Sequence, residues 1–206
     1  MTARVVVLTR DPVPGRVKTR LVPAVGDVGA ARLHAAFALH TVEVAARSGL
    51  PVEVHLDGDR SGTFAAALCA AGAGAVRAQA TGDLGARIAA AAVGAERAVV
   101  IGTDCVLFHP EDLAAAAEAP EDLVLGPADD GGYWLISLRE AAGSPLLADM
   151  PWSTPDVAAI TLQRAARAHL SVRLVAGYPD IDEPADLADL LADPRCPPHL
   201  RALLRG

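Results

Sequence analysis

Residues 4–20 read RVVVLTRDPVPGRVKTR and join a short apolar run to a basic loop that contains two prolines. The run at Arg4–Thr9 has apolar residues at consecutive positions, which predicts a strand buried on both faces of a sheet. The loop that follows carries four cations, Arg10, Arg16, Lys18 and Arg20. In α/β folds, the loops at the carboxyl ends of the strands carry the ligand site.

The rest of the chain alternates short Val-, Ile- and Leu-rich runs with longer alanine-rich stretches. The predicted strands are Arg4–Thr9, Val52–Leu56, Ala75–Gln79, Ala98–Ile101, Leu123–Leu125, Tyr133–Leu138 and Val172–Val175. The predicted helices are Asp27–Ser48, Thr63–Ala71, Leu84–Val93, Glu111–Glu118, Pro155–His169 and Pro184–Leu191. This alternation predicts a three-layer α/β/α sandwich around a mostly parallel sheet, as a single domain over residues 1–206.

The amino-acid composition of the chain limits the kinds of partner that it can bind. The net charge of −7 and the pI near 5.3 argue against nucleic acid and anionic membranes as partners. No apolar run approaches the ~18 uncharged residues that a membrane span needs. The three cysteines, Cys69, Cys105 and Cys196, are scattered, which fits a reduced compartment and predicts a cytoplasmic protein without a disulfide framework. The oligomeric state is left open by the sequence.

The basic loop suits a polyphosphate. Lys18 is the only lysine of the chain, and its compact ammonium suits one phosphate oxygen, whereas arginine forks bind two. Pro12 and Pro14 stiffen the loop, and Gly15 permits close approach of backbone to a ligand. The alternative is a solvated surface turn. The GxxxxGK[ST] phosphate loop is absent.

Three aspartates follow predicted strands and are candidate ligands for Mg²⁺ or Mn²⁺. Asp104 ends the most apolar strand, and Asp180 and Asp182 share one face of extended chain, with Ile181 turned to the core. In the alternative interpretation, Asp104 and Asp182 cap the helices that follow them.

Two glycine-bearing segments are weaker candidates. Residues 126–134, GPADDGGYW, predict either a loop pressed against a ligand or an ordinary turn. Residues 81–87, TGDLGAR, predict either a nucleotide contact at a helix N-terminus or a plain helix start. The six histidines form no metal-binding motif, and each is expected to be a core or surface residue rather than a ligand.

Six motifs together resemble a known family. PVPGRVKTRL, GDLGAR, GTDC, GPADDGGYWLI, PWSTPDV and DIDEPADL occur in that order over residues 12–187. The chain resembles a bacterial glycosyltransferase-like family in the nucleotide-diphospho-sugar transferase superfamily. It is more distantly similar to the 2-phospho-L-lactate and molybdenum-cofactor guanylyltransferases, which makes GTP a candidate nucleotide. Val106 departs from the proline that the family usually has after the cysteine.

The resemblance implies a GT-A-like fold with a mixed seven-stranded sheet, and it implies roles for particular residues. It implies a metal at Asp104, Asp180 and Asp182, and catalytic roles for Lys18, Arg20 and Asp104. The expected nucleotide contacts are Arg10, Gly15, Arg16, Lys18, Arg20, Gly82, Asp83, Leu84, Gly85 and Arg87. The expected acceptor contacts are Asp130, Gly131, Gly132, Tyr133, Trp152 and Ser153, and the alternative for Trp152 is a hydrophobic plug.

Two metal-dependent reactions suit these residues. Nucleotidyl transfer from a nucleoside triphosphate to a small phosphorylated or carboxylated acceptor, with release of pyrophosphate, is favoured by the charge of the loop. The position of the Asp-x-Asp pair late in the chain favours it too. Transfer of a sugar from a nucleoside diphosphate sugar is the alternative. A non-catalytic nucleotide-binding module is a third interpretation.

Overall fold

The computed structural model describes residues 3–139 and 145–205. Its strands are β1 Ala3–Arg10, β2 Val52–Asp57, β3 Ala75–Ala78, β4 Arg97–Ile101, β5 Leu123–Pro127, β6 Tyr133–Leu138 and β7 Val172–Leu174. Its helices are α1 Val22–Ala46, α2 Thr63–Ala70, α3 Leu84–Ala92, α4 Pro110–Glu118, α5 Val157–Arg167, α6 Pro184–Ala192 and α7 Pro198–Arg205, with a short 3₁₀ helix at Thr19–Leu21.

The seven strands form one sheet in the order β3-β2-β1-β4-β6-β5-β7. Only β6 runs antiparallel to its neighbours β4 and β5, whereas the other neighbouring strands pair in parallel. Successive β1 residues pack into different cores, Val5 and Val7 into one and Val6 into the other. The mostly parallel mixed sheet, covered on both faces, confirms the predicted fold class.

The strand order reverses beside β1, because the chain runs outward from β1 to β3 and then returns to place β4 on the other side of β1. In open α/β sheets such a reversal opens a crevice outside the carboxyl ends of the strands involved. The basic loop follows β1 and Asp104 follows β4, so both border this crevice.

Two helical regions differ from the sequence prediction. Helix α1 has an extra turn, residues 22–25, with Pro23 in its first turn, ahead of the predicted start at Asp27. Gly26, with φ of 70° and ψ of 168°, is non-helical and forms a kink between this turn and the main helix, which begins at Asp27 as predicted. Helix α7 at Pro198–Arg205 was not predicted, although proline at its first position is a start signal.

Two absences were predicted from composition. All three cysteines are free, with Cys69 exposed and Cys105 and Cys196 buried, which confirms that no disulfide framework holds the fold. In residues 3–139 and 145–205, no helix is both long and apolar enough to cross a membrane.

Candidate active site

A cleft of about 570 Å³ opens at the carboxyl ends of β1 and β4. It is lined by most of the predicted site residues: Arg10, Arg16, Lys18, Arg20, Leu84, Arg87, Asp104, Asp130, Gly132, Tyr133, Trp152, Ser153, Asp180 and Asp182. These residues come from six separate chain segments, and the topology brings them together because the strands that precede most of them end at the same edge of the sheet.

One wall of the cleft presents guanidinium groups to solvent. Arg10, Arg16 and Arg20 are exposed, and the ion pair of Arg20 with Glu183 is loose, at 4.0 Å. The single acid of the loop, Asp11, faces away from them and accepts a hydrogen bond from the backbone N–H of residue 59 at 2.7 Å. The loop therefore keeps its positive charge for the cleft, as binding of a polyphosphate requires.

Arg87 is held in position by the edge of the sheet. Its guanidinium donates to the side-chain oxygen of Gln79 at 2.7 Å and to the carbonyl of Gly82 at 3.1 Å. The Gln79 amide nitrogen in turn donates to the carbonyls of Thr9 and His55. Arg87 is thus a fixed cation on the same side of the cleft as the basic loop.

Lys18 differs from the arginines because its charge is buried. Its side chain is only 4% exposed, and its ammonium contacts carboxylate oxygens of Asp104 and of Asp182, the latter at 2.8 Å. It also donates to the Ile181 carbonyl at 2.6 Å, so its three protons are directed at three protein oxygens. Burial alone would lower the pKa of Lys18, but the two carboxylates outweigh burial and raise it.

The position of Lys18 requires an uncommon backbone conformation. Lys18 has φ of 46°, in the left-handed region, immediately before the 3₁₀ helix at Thr19–Leu21. Such a conformation costs energy for a residue with a side chain and persists only where its surroundings hold it. The contacts of its ammonium with Asp104, Asp182 and Ile181 supply that support.

The alternative roles of the aspartates as helix caps are wrong. Helix α4 is capped by His109 and helix α6 by Glu183, each in a reciprocal capping box. The side chains of Asp104 and Asp182 therefore contact Lys18 and line the cleft instead of capping helices. Ile181 is buried, at 2% exposure, as the alternation of the segment predicted.

Asp180 lies in a distinct environment beside Cys105. It accepts a hydrogen bond from the Cys105 thiol at 2.7 Å. Burial raises the pKa of Asp180 to about 6, with a further increase from the carboxylates of Asp130, Asp104 and Asp182 and an opposing effect of the thiol. A carboxyl with so much negative charge nearby is stabilised in its ionised form by a cation.

The donor chemistry of the three aspartates fits a hard divalent cation. Carboxylate oxygens are the ligands that Mg²⁺ prefers, and the Lys18 ammonium shows that the space between Asp104 and Asp182 already accommodates a cation. The three carboxylates are not preassembled: among the described residues, only His40, Glu43 and His199 bring three donor atoms within 4.8 Å of one another. A bound metal would therefore have to take the carboxylates from Lys18.

The opposite wall of the cleft is aromatic. The rings of Tyr133 and Trp152 meet edge to face with centroids 6.5 Å apart. Trp152 is half-buried, and its indole N–H is buried with no hydrogen-bond partner in the described part of the chain. Trp152 thus packs against the core beneath β6 and also lines the cleft, and its contact with an acceptor stays a prediction.

Five predicted contacts do not line the cleft, namely Gly15, Gly82, Asp83, Gly85 and Gly131. Asp83 caps α3 by accepting from the Ala86 N–H at 2.8 Å, so the plain helix start describes this residue. A Cβ on Gly85 would lie 3.0 Å from the Trp152 ring, and one on Gly131 would collide with the Pro155 carbonyl. These two glycines allow close packing that supports the cleft wall.

Sequence reasoning missed other residues of the cleft, among them Thr9, His34 and Gln79. His34 is buried on α1, and its ring lies 3.0 Å from the Arg10 carbonyl and 3.3 Å from the Thr9 hydroxyl. It was expected to be a core or surface residue. Gln79 had a usable signal, because it ends the predicted third strand at the edge where ligands bind.

Fold and site together define the class of the protein: an α/β protein of the nucleotide-diphospho-sugar transferase type. In particular, the chain belongs to the family DUF2064, described as an uncharacterized protein conserved in bacteria, which matches residues 39–154. No curated protein matches the chain.

Solved structures show the same architecture. A provisionally assigned nucleotide-diphospho-sugar transferase from Desulfovibrio desulfuricans G20 is 26% identical, with a TM-score of 0.83 over 99% of this chain and 97% of its own. CMP:2-keto-3-deoxy-manno-octonic acid synthetase complexed with CTP is 15% identical, with a TM-score of 0.58 over 92% and 97%. Rv0371c from Mycobacterium tuberculosis H37Rv, in complex with manganese, is 18% identical, with a TM-score of 0.52 over 92% and 97%.

Proposed function

We propose that this chain is a metal-dependent nucleotidyltransferase of a single domain that acts in the cytoplasm. It would move a nucleotidyl group from a nucleoside triphosphate to a small phosphorylated or carboxylated acceptor and release pyrophosphate. The observation that carries the proposal is the presence, in one cleft, of exposed arginines and three aspartates. Such a site can bind a polyphosphate and a divalent cation together.

The half of the cleft that is formed by residues early in the chain, the early half, would bind the nucleotide. Arg10, Arg16 and Arg20 are exposed and can take phosphate oxygens in bidentate pairs. Arg87 adds a cation that Gln79 holds in place. Leu84, exposed at the start of α3 and lining the cleft, offers an apolar surface for the base.

Asp104, Asp180 and Asp182 would hold Mg²⁺ or Mn²⁺, and the manganese complex of Rv0371c supports the choice of metal. When bound, the ion supplies positive charge that neutralises the phosphates as the leaving group departs. Lys18 shares Asp104 and Asp182 in the free protein, and its flexible stem allows the ammonium to turn from these carboxylates to a phosphate oxygen.

The half of the cleft that is formed by residues late in the chain, the late half, would bind the acceptor. Trp152 lines this half of the cleft, and its half-buried ring would lie against the acceptor. Asp130, Gly132, Tyr133 and Ser153 complete this wall. Their position opposite the basic loop would place an acceptor group across from the phosphates.

Sugar transfer from a nucleoside diphosphate sugar is the second candidate. It is favoured by the similarity to the Desulfovibrio protein, the nucleotide-diphospho-sugar transferase described above. The two reactions share the phosphate and metal subsites and differ in the bond that breaks. The base is a further proposal: the guanylyltransferase resemblance suggests GTP, whereas one protein of the same fold was solved with CTP.

A thermal-shift screen tests the proposal. The protein is heated with ATP, CTP, GTP, UTP or the corresponding diphosphate sugars, each with and without Mn²⁺. We expect one triphosphate, with metal, to stabilise the protein most, by about 2.7 kcal/mol at 100 times its dissociation constant. A larger effect of a diphosphate sugar would favour sugar transfer. Failure of every nucleotide to stabilise the protein would contradict both reactions.

A further inference from the structure

A second group of potential ligands lies outside the cleft, between helix α1 and helix α7. His40 and Glu43 of α1 and His199 of α7 bring three donor atoms within 4.8 Å of one another. We propose that these residues form a binding site for a divalent transition-metal ion, of which Zn²⁺ fits best. This site is separate from the three aspartates and does not rest on the proposed function.

The hydrogen bonding of His40 leaves one ring nitrogen available. His40 is only 7% exposed, and its Nε2 lies 3.0 Å from the carbonyl oxygen of Val106. Because a carbonyl oxygen can only accept, Nε2 carries the proton and Nδ1 carries a lone pair. Nδ1 is buried without a partner in the described part of the chain. A buried lone pair without a donor is costly, and a metal ion would satisfy it.

The three side chains can converge on one ion. His40 and Glu43 are three residues apart on α1 and therefore lie on the same face of the helix. The rings of His40 and His199 have centroids 5.0 Å apart and are tilted by 50°. Ligands at about 2.1 Å around a tetrahedral ion lie about 3.4 Å from one another. His199 and Glu43 are exposed, so modest side-chain rotations can close the remaining distance.

The donor set selects the metal class. Two imidazoles and one carboxylate with a water molecule form a common four-coordinate arrangement for Zn²⁺. Imidazole nitrogen is a poor ligand for Mg²⁺, which prefers oxygen. His40 donates a hydrogen bond from Nε2 to a backbone carbonyl. Metal-binding histidines are commonly oriented by such a bond from the ring nitrogen that does not bind the metal. Burial lowers the pKa of His40, which keeps its ring neutral as ligation requires.

A metal here would tie two distant parts of the chain together. His40 lies on the long helix beneath the sheet, and His199 lies on the last helix described. Through its bond to Val106, His40 also contacts the loop that follows Asp104. The site would act as a structural clamp that holds α7 on α1 and fixes this loop behind the cleft.

Cobalt titration tests the site directly. The untagged, chelator-treated protein is titrated with Co²⁺, whose visible bands report tetrahedral coordination, and Zn²⁺ is then added to displace it. We expect one tetrahedral Co²⁺ per chain. His199→Asn should weaken binding at least about tenfold, since even outer-shell partners contribute that much. Glu43→Gln should weaken it as well.

The matched control is His169→Asn, the same change at another exposed histidine. Asparagine tolerates the positive φ of 56° at that position. His169→Asn should keep the cobalt bands, and Asp104→Asn should keep them too, because the aspartates offer only oxygen. Binding that survives His199→Asn, loss of the bands in Asp104→Asn, or no tetrahedral Co²⁺ at all would each overturn the proposal. Both exposed histidines can change without disturbing the core, and circular dichroism checks the fold.

Discussion

The arginines and the lysine of the basic loop use positive charge in opposite ways. Arg10, Arg16 and Arg20 point their charge into solvent, and the closest acid pairs only loosely. Lys18 is buried between Asp104 and Asp182 and has no proton left for a ligand. The arginines are therefore ready to bind an anion, whereas Lys18 must first leave its carboxylates.

This contrast separates two kinds of charged residue in one binding site. An exposed guanidinium gains energy only when a ligand arrives, because surface pairs contribute little on their own. The buried Lys18 already stabilises the free protein by balancing two carboxylates that would otherwise repel each other.

Asp104→Asn should remove metal-dependent nucleotide binding. A direct ligand contributes more than the outer-shell partners whose loss costs about 10–100-fold, so affinity should fall by at least about 100-fold. The fold should persist, because Lys18 keeps Asp182 and the Ile181 carbonyl. Isothermal titration with Mn²⁺ measures the loss. Asp189→Asn, the same change on exposed α6, is the control and should bind normally.

Arg16→Ala should weaken nucleotide binding and leave stability unchanged. A charged hydrogen bond contributes about 1.5–3 kcal/mol, which corresponds to a loss of roughly 10–150-fold. Arg60→Ala removes an exposed arginine outside the cleft and should bind as wild type does. Equal affinity of the two variants in isothermal titration would refute the role of the basic loop.

Trp152→Ala should affect the late half of the cleft alone. We expect kcat/KM for an acceptor to fall about tenfold, or about 1.4 kcal/mol, while nucleotide affinity stays within about twofold. Steady-state kinetics and titration measure the two effects. If urea denaturation showed a loss of several kcal/mol in the free energy of unfolding, as for a buried tryptophan, Trp152 would instead be a core plug.

Asp180→Asn should stabilise the metal-free protein at neutral pH. The pKa of this carboxyl rises from 3.8 in the unfolded chain to about 6 in the folded one, so the folded state holds the proton more tightly. Wild-type stability should fall as pH rises from about 4 through 6. The variant should lack this fall and gain about 1 kcal/mol at pH 8, after allowance for the partial exposure of the group.

Urea denaturation at several pH values, with a chelator present, measures this difference. Added Mn²⁺ should reverse it, because the metal favours the ionised carboxylate of the wild type. A variant less stable than wild type at both ends of the range would show that the Cys105–Asp180 hydrogen bond matters more than the burial of charge.

The strands were predictable because each buried strand carries its own signal. Arg4–Thr9 and Ala98–Ile101 are apolar runs. The observed strand β1 is one residue longer at each end, and β4 is one residue longer at its start. Helix α7 was missed because it is short and its first residue, Pro198, follows a second proline. The helical spacing of Leu200, Leu203 and Leu204 was a usable signal for it.

The residues that line the cleft could be predicted from the sequence, but the ion pairs among them could not. Residues that follow parallel strands meet at one edge, which brought Arg16 and Asp104 together. The pairing of Lys18 with Asp182 spans 164 positions and depends on the left-handed backbone at Lys18, which no local pattern indicates. The approach of His40 to His199 depends in the same way on distant packing.

A crystal structure with Mn²⁺ and the triphosphate selected by the thermal-shift screen, measured at the manganese absorption edge, tests the central claim most directly. We expect an anomalous peak bounded by Asp104 and Asp182, phosphates against Arg16 and Arg20, and the Lys18 ammonium turned from the carboxylates to a phosphate oxygen. A complex in which Lys18 keeps both aspartates and the manganese binds elsewhere would contradict it.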